Sequence, residues 1–277
     1  MSFEAVDDWL LGDGEGAHWE VFHENSKMSR HERHPTFALH PSDAAIVRIM
    51  QRLRRVKPFR DYPKVALPVE LPAASLSVDD VIASRATART FRRSEIGFAQ
   101  LAKVLLASYG VTRDNADTVF PRPFRSVPSG GALYPLELYV HARRVSGLQA
   151  GLYHFDPEER SLDLLRAGDD SEALSRFMVN DRLAADAAAA VFVTAIFYRS
   201  TFKYGDRGYR FTLLEAGHLA QNACLTAEAM KLATATIGGY TDRDVDRWLA
   251  VDGLSESTVY VLLVGVAGVT EEGASGH

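Results

Sequence analysis

Apolar residues recur along this chain with two different periods. Between Ser42 and Arg55, Ile46, Ile49, Met50 and Leu53 fall on one helical stripe, and Ser42 or Asp43 can cap its start. A second helical stretch covers roughly Phe98 to Tyr109, with Leu101, Val104 and Leu105 inward and Gly110 as its stop. A third runs from about Thr212 to Lys231. There Gly217, Ala220, Cys224 and Ala227 make one face of small residues, which suits either tight packing in a core or close approach of a second copy of the helix. Ser77 opens a shorter helix, with Asp80 at the third position to satisfy free N–H groups. Elsewhere the pattern is that of strands. Leu138–Ala142 alternates weakly, while Leu152–Phe155 and Leu162–Leu165 flank the turn-like Asp156–Arg160 and read as a hairpin. Ala190–Tyr198 and Thr258–Val266 are continuous apolar runs, suited to buried central strands.

The N-terminal quarter is different. Residues 1–56 read as an arm, and Pro58, Pro63, Pro68 and Pro72 then rule out helix interior and imply an extended path across another surface. The chain therefore divides into an arm and Pro-rich linker at 1–76, a core at 77–270 and a tail at 271–277. At 277 residues and 47% hydrophobic, it can bury a full core without covalent staples. Its single cysteine, Cys224, excludes an intrachain disulfide and a multi-cysteine zinc or iron–sulfur site, and fits a reducing, cytoplasmic setting. No signal peptide is visible, and no apolar run approaches the roughly 20 residues of a membrane span. A net charge of -5 argues against bulk nucleic-acid binding. Between Lys27 and Lys64, however, ten Lys or Arg stand against Glu32, Asp43 and Asp61. That stretch is either a solvated helix face plus linker or a surface for an acidic partner.

Three segments carry candidate chemistry. In Arg85-Ala86-Thr87-Ala88-Arg89, two guanidiniums flank a hydroxyl, a combination that suits phosphate and polyol oxygens but also occurs in surface ion pairs. In Pro128-Ser129-Gly130-Gly131-Ala132-Leu133-Tyr134-Pro135, two glycines let backbone come close to something flat or anionic; a plain helix-to-strand turn explains the glycines but not the crowding of Ser129, Tyr134 and Pro135. Gly238-Gly239 is a second such pair after an apolar stretch. Common nucleotide motifs are absent: there is no G-x-G-x-x-G after a strand and no Walker loop. His31-Glu32-Arg33-His34 has the wrong spacing for a helical zinc site, so no metal is expected, and Ser129 is not in a hydrolase elbow.

Taken in order, these segments resemble the SagB-type dehydrogenase branch of the nitroreductase superfamily. The matching pieces are Phe22–Lys27, Arg85–Arg89, Pro128–Glu137, Gly151–Asp156, Lys203–Phe211, Glu215–His218 with Gln221 and Asn222, Gly238-Gly239 and Val264–Val266. They span nearly the whole chain. The resemblance implies an α+β fold, with a mainly antiparallel central sheet flanked by helices in an interlocked homodimer and flavin mononucleotide (FMN) in a groove at the interface. By position it puts Arg85, Thr87 and Arg89 on the FMN phosphate, ribityl chain or ring edge. It puts Pro128, Ser129, Gly130 and Gly131 on the FMN of the other subunit, and Gly238 and Gly239 near flavin N5.

The best-known members of this branch oxidise thiazolines and oxazolines in ribosomally made peptides to thiazoles and oxazoles, with a Lys-Tyr pair linked to proton removal. The matching pair is Lys203-Tyr204. A lysine serves as base only when neutral; if the segment is helical, Arg199 and Arg207 share its face and their like charge favours that form. Without the resemblance, the segment reads as a basic surface turn. The implied partners are a modified peptide and a cyclodehydratase or leader-binding protein. The alternatives are a nicotinamide-dependent reductase of nitro compounds, quinones or alkenes, and a flavin-binding subunit without catalysis.

Overall fold

The two continuous apolar runs form the middle of one sheet, and the elements around it follow from having to cover both of its faces. The computed structural model describes residues 18–27, 44–53, 56–114 and 123–268. In chain order the elements are helices α1 (His18–Asn25) and α2 (Ala44–Leu53), strand β1 (Lys64–Ala66), helix α3 (Val78–Ser84), strands β2 (Phe91–Arg92) and β3 (Ile96–Gly97), and helix α4 (Phe98–Tyr109). Strands β4 (Val111–Arg113), β5 (Phe124–Arg125), β6 (Leu136–Ala142), β7 (Val145–Ser146), β8 (Gly151–Asp156) and β9 (Ser161–Ala167) follow. Then come helices α5 (Ser171–Phe177) and α6 (Asp181–Asp186), strand β10 (Ala189–Ile196), and helices α7 (Tyr198–Tyr204) and α8 (Arg207–Ala229). Strand β11 (Ala233–Ile237), helix α9 (Asp242–Leu249) and strand β12 (Glu256–Ala267) complete the order.

The main sheet runs β1-β9-β8-β6-β10-β12-β11, with β2 paired to β12, and every pairing in it is antiparallel. The fold is α+β, as the resemblance implies. Side chains alternate across the sheet with period two. Leu136, Leu138 and Val140 of β6 face α4 and α8, packing with Leu101, Leu105, Leu219 and Ala223. Tyr139 faces the other way, with Phe192 of β10, Leu174 of α5 and Val245 and Leu249 of α9. The helix starts are as the sequence suggests: Ser77 caps α3 by accepting from the Asp80 N–H, and Gly110 ends α4. In α2, Met50 is buried while Ile49 is exposed; Ser42 and Arg55 lie outside the described residues.

Three expectations change. The small-residue face of α8 turns inward, since Ala220, Cys224 and Ala227 are buried within this chain while Gly217 is exposed. That stripe serves the core, and it is Leu213, Leu214, Gly217, His218 and Gln221 that share the outward face. The β10 run ends at Ile196 rather than Tyr198, because Tyr198 starts α7. The basic stretch is not wholly solvated: Lys57 turns in, and its Nζ donates to Tyr139 Oη (2.9 Å) and Glu256 Oε2 (2.8 Å).

Lys57 belongs to a buried polar layer at the end of the sheet. Tyr139 and Thr194 hydroxyls both donate to Glu256 Oε1, at 3.0 and 2.8 Å. Next to them Glu137 pairs with Arg199 of α7 at 2.6 Å and with His154 at 2.8 Å, and His154 lies 3.6 Å from Asp163. Burial alone would raise the Glu137 carboxyl, but the Arg199 charge and the His154 hydrogen bond outweigh it and hold it at about 2. Burial likewise works to lower His154, and its carboxylate neighbours Asp163 and Glu137 raise it instead. Arg199→Met should therefore leave a buried carboxylate short of its cation and lower stability by about 3–5 kcal/mol, measured by urea unfolding at neutral pH.

Candidate functional site

The Pro128–Pro135 segment is built around left-handed backbone. Gly130–Ala132 makes a single 3₁₀ turn, with Gly131 at φ 63°, Ala132 at φ 49° and Tyr134 at φ 47°. The two non-glycine residues are strained, on the order of 1–3 kcal/mol each, so their surroundings must impose the shape. Ser129 Oγ accepts from the Tyr134 N–H (2.9 Å), and Tyr134 Oη accepts from the Arg125 N–H (2.9 Å). The Arg125 guanidinium lies over the rings of Tyr109 and Tyr134, 4.4 and 5.0 Å from their centroids. Beneath the loop, Glu215 of α8 accepts from Tyr109 Oη (2.7 Å), and the Ser129 side chain lies beside its carboxyl. Tyr109 Oη in turn accepts from the Leu136 N–H (3.1 Å). Burial pushes the Glu215 carboxyl up to about 7, with the Ser129 and Tyr109 hydrogen bonds and the Arg125 charge offsetting part of the rise.

The loop presents its glycines to Lys203 and Tyr204. A Cβ on Gly131 would lie 2.7 Å from Tyr204 Oη and 2.9 Å from Lys203 Nζ; one on Gly130 would lie 3.2 Å from the Phe211 ring and 3.5 Å from that of Tyr204. Lys203 Nζ is 5.2 Å from the Tyr204 ring centroid, and Tyr204 meets Phe211 edge-on at 5.0 Å. Lys203 is helical, but its flanking arginines do not crowd it. Gly205, at φ 56°, breaks the helix before Arg207, whose guanidinium donates to the Ser26 carbonyl at 3.2 Å. Arg199 is buried and neutralised by Glu137. The like-charge argument for a neutral Lys203 therefore loses its geometry.

Arg85, Thr87 and Arg89 run beside the start of β11: Thr87 bridges Thr234, and the Ala88 N–H donates to the Thr234 carbonyl at 2.8 Å. Arg85 Nη1 is 3.5 Å from Thr87 Oγ1, and Thr87 and Arg89 are exposed. Among the described residues neither arginine has a carboxylate within 4.0 Å, so surface ion pairing does not explain them. Gly238 and Gly239 follow the other end of β11, four residues or about 13 Å of strand beyond Thr234. A Cβ on Gly238 would meet nothing within 4 Å, whereas one on Gly239 would approach Val179 at 3.1 Å. Gly238 lines an open hollow of about 570 Å³ with Phe197, Tyr209, Leu213, Tyr240 and Leu254 on its wall. Tyr209 stacks on Phe197 inside and meets Phe22 of α1 edge-on at 5.3 Å. Arg210 Nε fixes that helix by donating to Ser26 Oγ at 2.8 Å.

Comparison with known proteins places this arrangement. The model of the nitroreductase family matches residues 82–266, which hold every segment just described except α1. The chain belongs to the nitroreductase family. MJ1384 of Methanocaldococcus jannaschii, assigned as a nitroreductase, is 32% identical over 186 residues, which are 67% of this chain and 90% of that protein. The microcin B17-processing protein McbC of Escherichia coli is 35% identical over 147 residues, and the trifolitoxin-processing protein TfxB of Rhizobium leguminosarum bv. trifolii is 30% identical over 145. Those matches take in 52% and 39% of the two processing proteins, so this chain spans about half of them or less. Among solved structures, a nitroreductase from Ralstonia eutropha JMP134 superposes with a TM-score of 0.62 at 22% identity, over 78% of this chain and 95% of that one. The E. coli microcin synthetase McbBCD complex with truncated pro-MccB17 bound gives 0.58 at 24% identity, over 91% and 92% of the chains.

Members of the nitroreductase family are FMN-binding oxidoreductases, and this chain offers what such a group needs. Arg85 and Arg89 supply cations without carboxylates, and Gly238 supplies open backbone. Several neighbours in this nitroreductase site are not apparent as such in the sequence. Glu215 sits in a quoted segment without an assigned role; its place three residues after buried Thr212 and four before buried Leu219 marks it as inward. Tyr109, Arg125 and Tyr209 carry no spacing signal at all.

Two outcomes follow. Glu215 has a folded pKa above its unfolded value, so its neutral form is favoured on folding; its contribution is intact below about pH 4.5 and is lost as pH rises through about 7. The flavin-free protein should lose about 3 kcal/mol between pH 5 and 8 that Glu215→Gln does not lose, read as the difference between their urea midpoints across pH. Gly131→Ala should fold, strained by about 1 kcal/mol, and should displace Lys203 Nζ and Tyr204 Oη, with flavin retained and turnover reduced.

Proposed function

We propose that this chain is an FMN-dependent dehydrogenase that oxidises thiazolines or oxazolines in a peptide to thiazoles or oxazoles. The observation that carries the reading is the convergence of Lys203 Nζ and Tyr204 Oη on Gly131, in a loop whose left-handed backbone is held by its hydrogen bonds. The similarity to McbC and TfxB, named as processing proteins of microcin B17 and trifolitoxin, supports it. In this reading Arg85, Thr87 and Arg89 hold the FMN phosphate and ribityl chain, Gly238 and Gly239 lie by its ring, and Pro128–Gly131 serve the FMN of a second subunit. When bound, FMN supplies the acceptor for the hydride. The chain must supply the acceptor for the proton that leaves with it. The azoline C–H beside both imine and carbonyl is acidified, so a weak base suffices, and aromatisation provides the driving force. Lys203 is the group placed to take that proton, with Tyr204 beside it as a hydroxyl that can share it.

The substrate side of the proposal is the hollow at Gly238. Its wall of Phe197, Tyr209, Tyr240 and Leu254 suits a flat ring, and its volume of about 570 Å³ falls within the roughly 300–1,000 Å³ of small-ligand sites. Asp242 gives that wall a negative charge, which favours a neutral or cationic peptide over a phosphorylated dinucleotide. A homodimer goes with this reading. Leu214 is 60% and Leu213 is 41% exposed beside Gly217 and His218, an outward apolar strip on α8 suited to a second copy. A cyclodehydratase or leader-binding protein would deliver the peptide.

A second reading is favoured by the match over 90% of MJ1384: a reductase that takes electrons from a nicotinamide and passes them to a nitro compound, quinone or alkene. A non-catalytic flavin-binding subunit is the third. The test incubates the flavin-loaded protein with an azoline-containing peptide in air and follows it by mass spectrometry. The expected result is loss of two hydrogens per ring, absent from Lys203→Ala, which keeps fold and FMN. If azoline peptides stay untouched while NADPH bleaches the flavin and a nitroarene restores it, the reductase reading replaces this one.

A further inference from the structure

The loop that faces Lys203 and Tyr204 is strained, and the strain needs a restraint. Tyr134, at φ 47°, is tied through its N–H to Ser129 Oγ, and the Ser129 side chain lies beside the Glu215 carboxyl. Glu215 is 2% exposed and lies on α8, one turn beyond Phe211, whose ring packs on Gly130. A hydrogen bond to Glu215 comes from Tyr109 at the end of α4, and Tyr109 Oη also receives the N–H of Leu136, the first residue after the loop. Both ends of the loop therefore lead back to one carboxyl.

We propose that Glu215 is the positioning residue of the site: by accepting the hydrogen bond of Tyr109, with the Ser129 side chain beside its carboxyl, it holds the Ser129–Tyr134 loop in its left-handed form and so sets Gly130 and Gly131 against Lys203 and Tyr204. The proposal rests on the reading that this loop and Lys203 form the reactive site. A carboxylate suits the task because two hydroxyl side chains lie beside it, and an ionised acceptor strengthens the bond from Tyr109. An amide has one acceptor oxygen and brings two N–H donors that must also be placed, and an apolar side chain offers no acceptor. The groups that face Glu215 are Tyr109 from α4, Arg125 from β5 and Ser129 from the loop, and Arg125 supplies the compensating charge. With its carboxyl pushed up to about 7 by burial, Glu215 changes charge close to neutral pH, so the state of the loop changes through that value.

The first measurement is amide hydrogen exchange on the flavin-free protein, wild type against Glu215→Ala and Glu215→Gln. In Glu215→Ala the 126–136 peptide should exchange at least about tenfold faster while β6 and β10 stay protected, and Glu215→Gln should fall between. Unchanged exchange in 126–136, or acceleration spread evenly through the sheet, overturns the proposal. If Glu215→Ala does not fold, Ser129→Ala takes its place: it should loosen the same peptide, and adding Glu215→Gln should loosen it little further. Fully additive effects overturn the link. The second measurement is FMN affinity and turnover from about pH 6 to 8.5. The ratio of wild type to Glu215→Gln should change through about pH 7, since ionisation of the FMN phosphate affects both proteins alike. A flat ratio overturns the proposal. If wild type binds no FMN, the cofactor reading falls, and the exchange result judges the positioning role by itself.

Discussion

The 2.6 Å pair between Arg199 and Glu137 is the contact on which the site depends. Both partners are buried, so each is tolerated only because the other is there. Glu137 lies in β6, in the middle of the sheet, and also accepts from the Lys57 N–H, at 3.3 Å, and hydrogen-bonds His154. Arg199 lies on α7, one helical turn before Lys203. The pair thus fixes a short helix, too brief to be stable by itself, onto a buried interior strand of the sheet. Mispacking at the sheet end would shift Lys203 before it shifted anything else in the site.

The opposite wall is fixed by different means. Backbone in the left-handed region at Ala132 and Tyr134 is costly, and the fold imposes it in place of added glycines, with the Arg125 N–H donating to Tyr134 Oη and the Tyr134 N–H donating to Ser129 Oγ. Glycine is kept for position 131, where a positive φ coincides with two side-chain tips too near for a Cβ. The start of α8 joins the two walls: Phe211 packs on Gly130 and Tyr204, and Tyr209 lines the hollow by Gly238. A single helix start therefore couples the proposed proton acceptor, the glycine loop and the substrate hollow.

Much of this was legible in the residues. The central strands showed as unbroken apolar runs, the β8–β9 hairpin as two runs about Asp156–Arg160, and α3 and α4 by Ser77 and Gly110. These are local signals with local causes. The inward turn of Ala220, Cys224 and Ala227 was not legible, because spacing defines a face but not what it meets. The charge state around Lys203 failed for a related reason. Helical spacing brought Arg199 and Arg207 to it on paper, whereas a distant carboxylate, Glu137, and a glycine break at Gly205 removed both. The role of Glu215 depended on Ser129 and Tyr109, which are far from it in sequence and adjacent only through the fold.

The choice between oxidising a peptide ring and reducing a small acceptor then turns on the substrate side. Holding a flavin is common to both, and so is the need for cations at its phosphate and for open backbone by its ring. The difference lies in what approaches the flavin face and what it must surrender. A nicotinamide donor gives up a hydride without a coupled proton and asks for cations to meet its phosphates. An azoline gives up both, and asks for a base within reach and for an apolar bed for a ring that becomes flatter and less polar as it reacts. The hollow at Gly238 carries aromatic side chains and the carboxylate of Asp242, and Lys203 and Tyr204 stand together at the loop. Those features suit the second reaction; in the first, Lys203 and Tyr204 would have to serve as proton donors to the reduced acceptor instead.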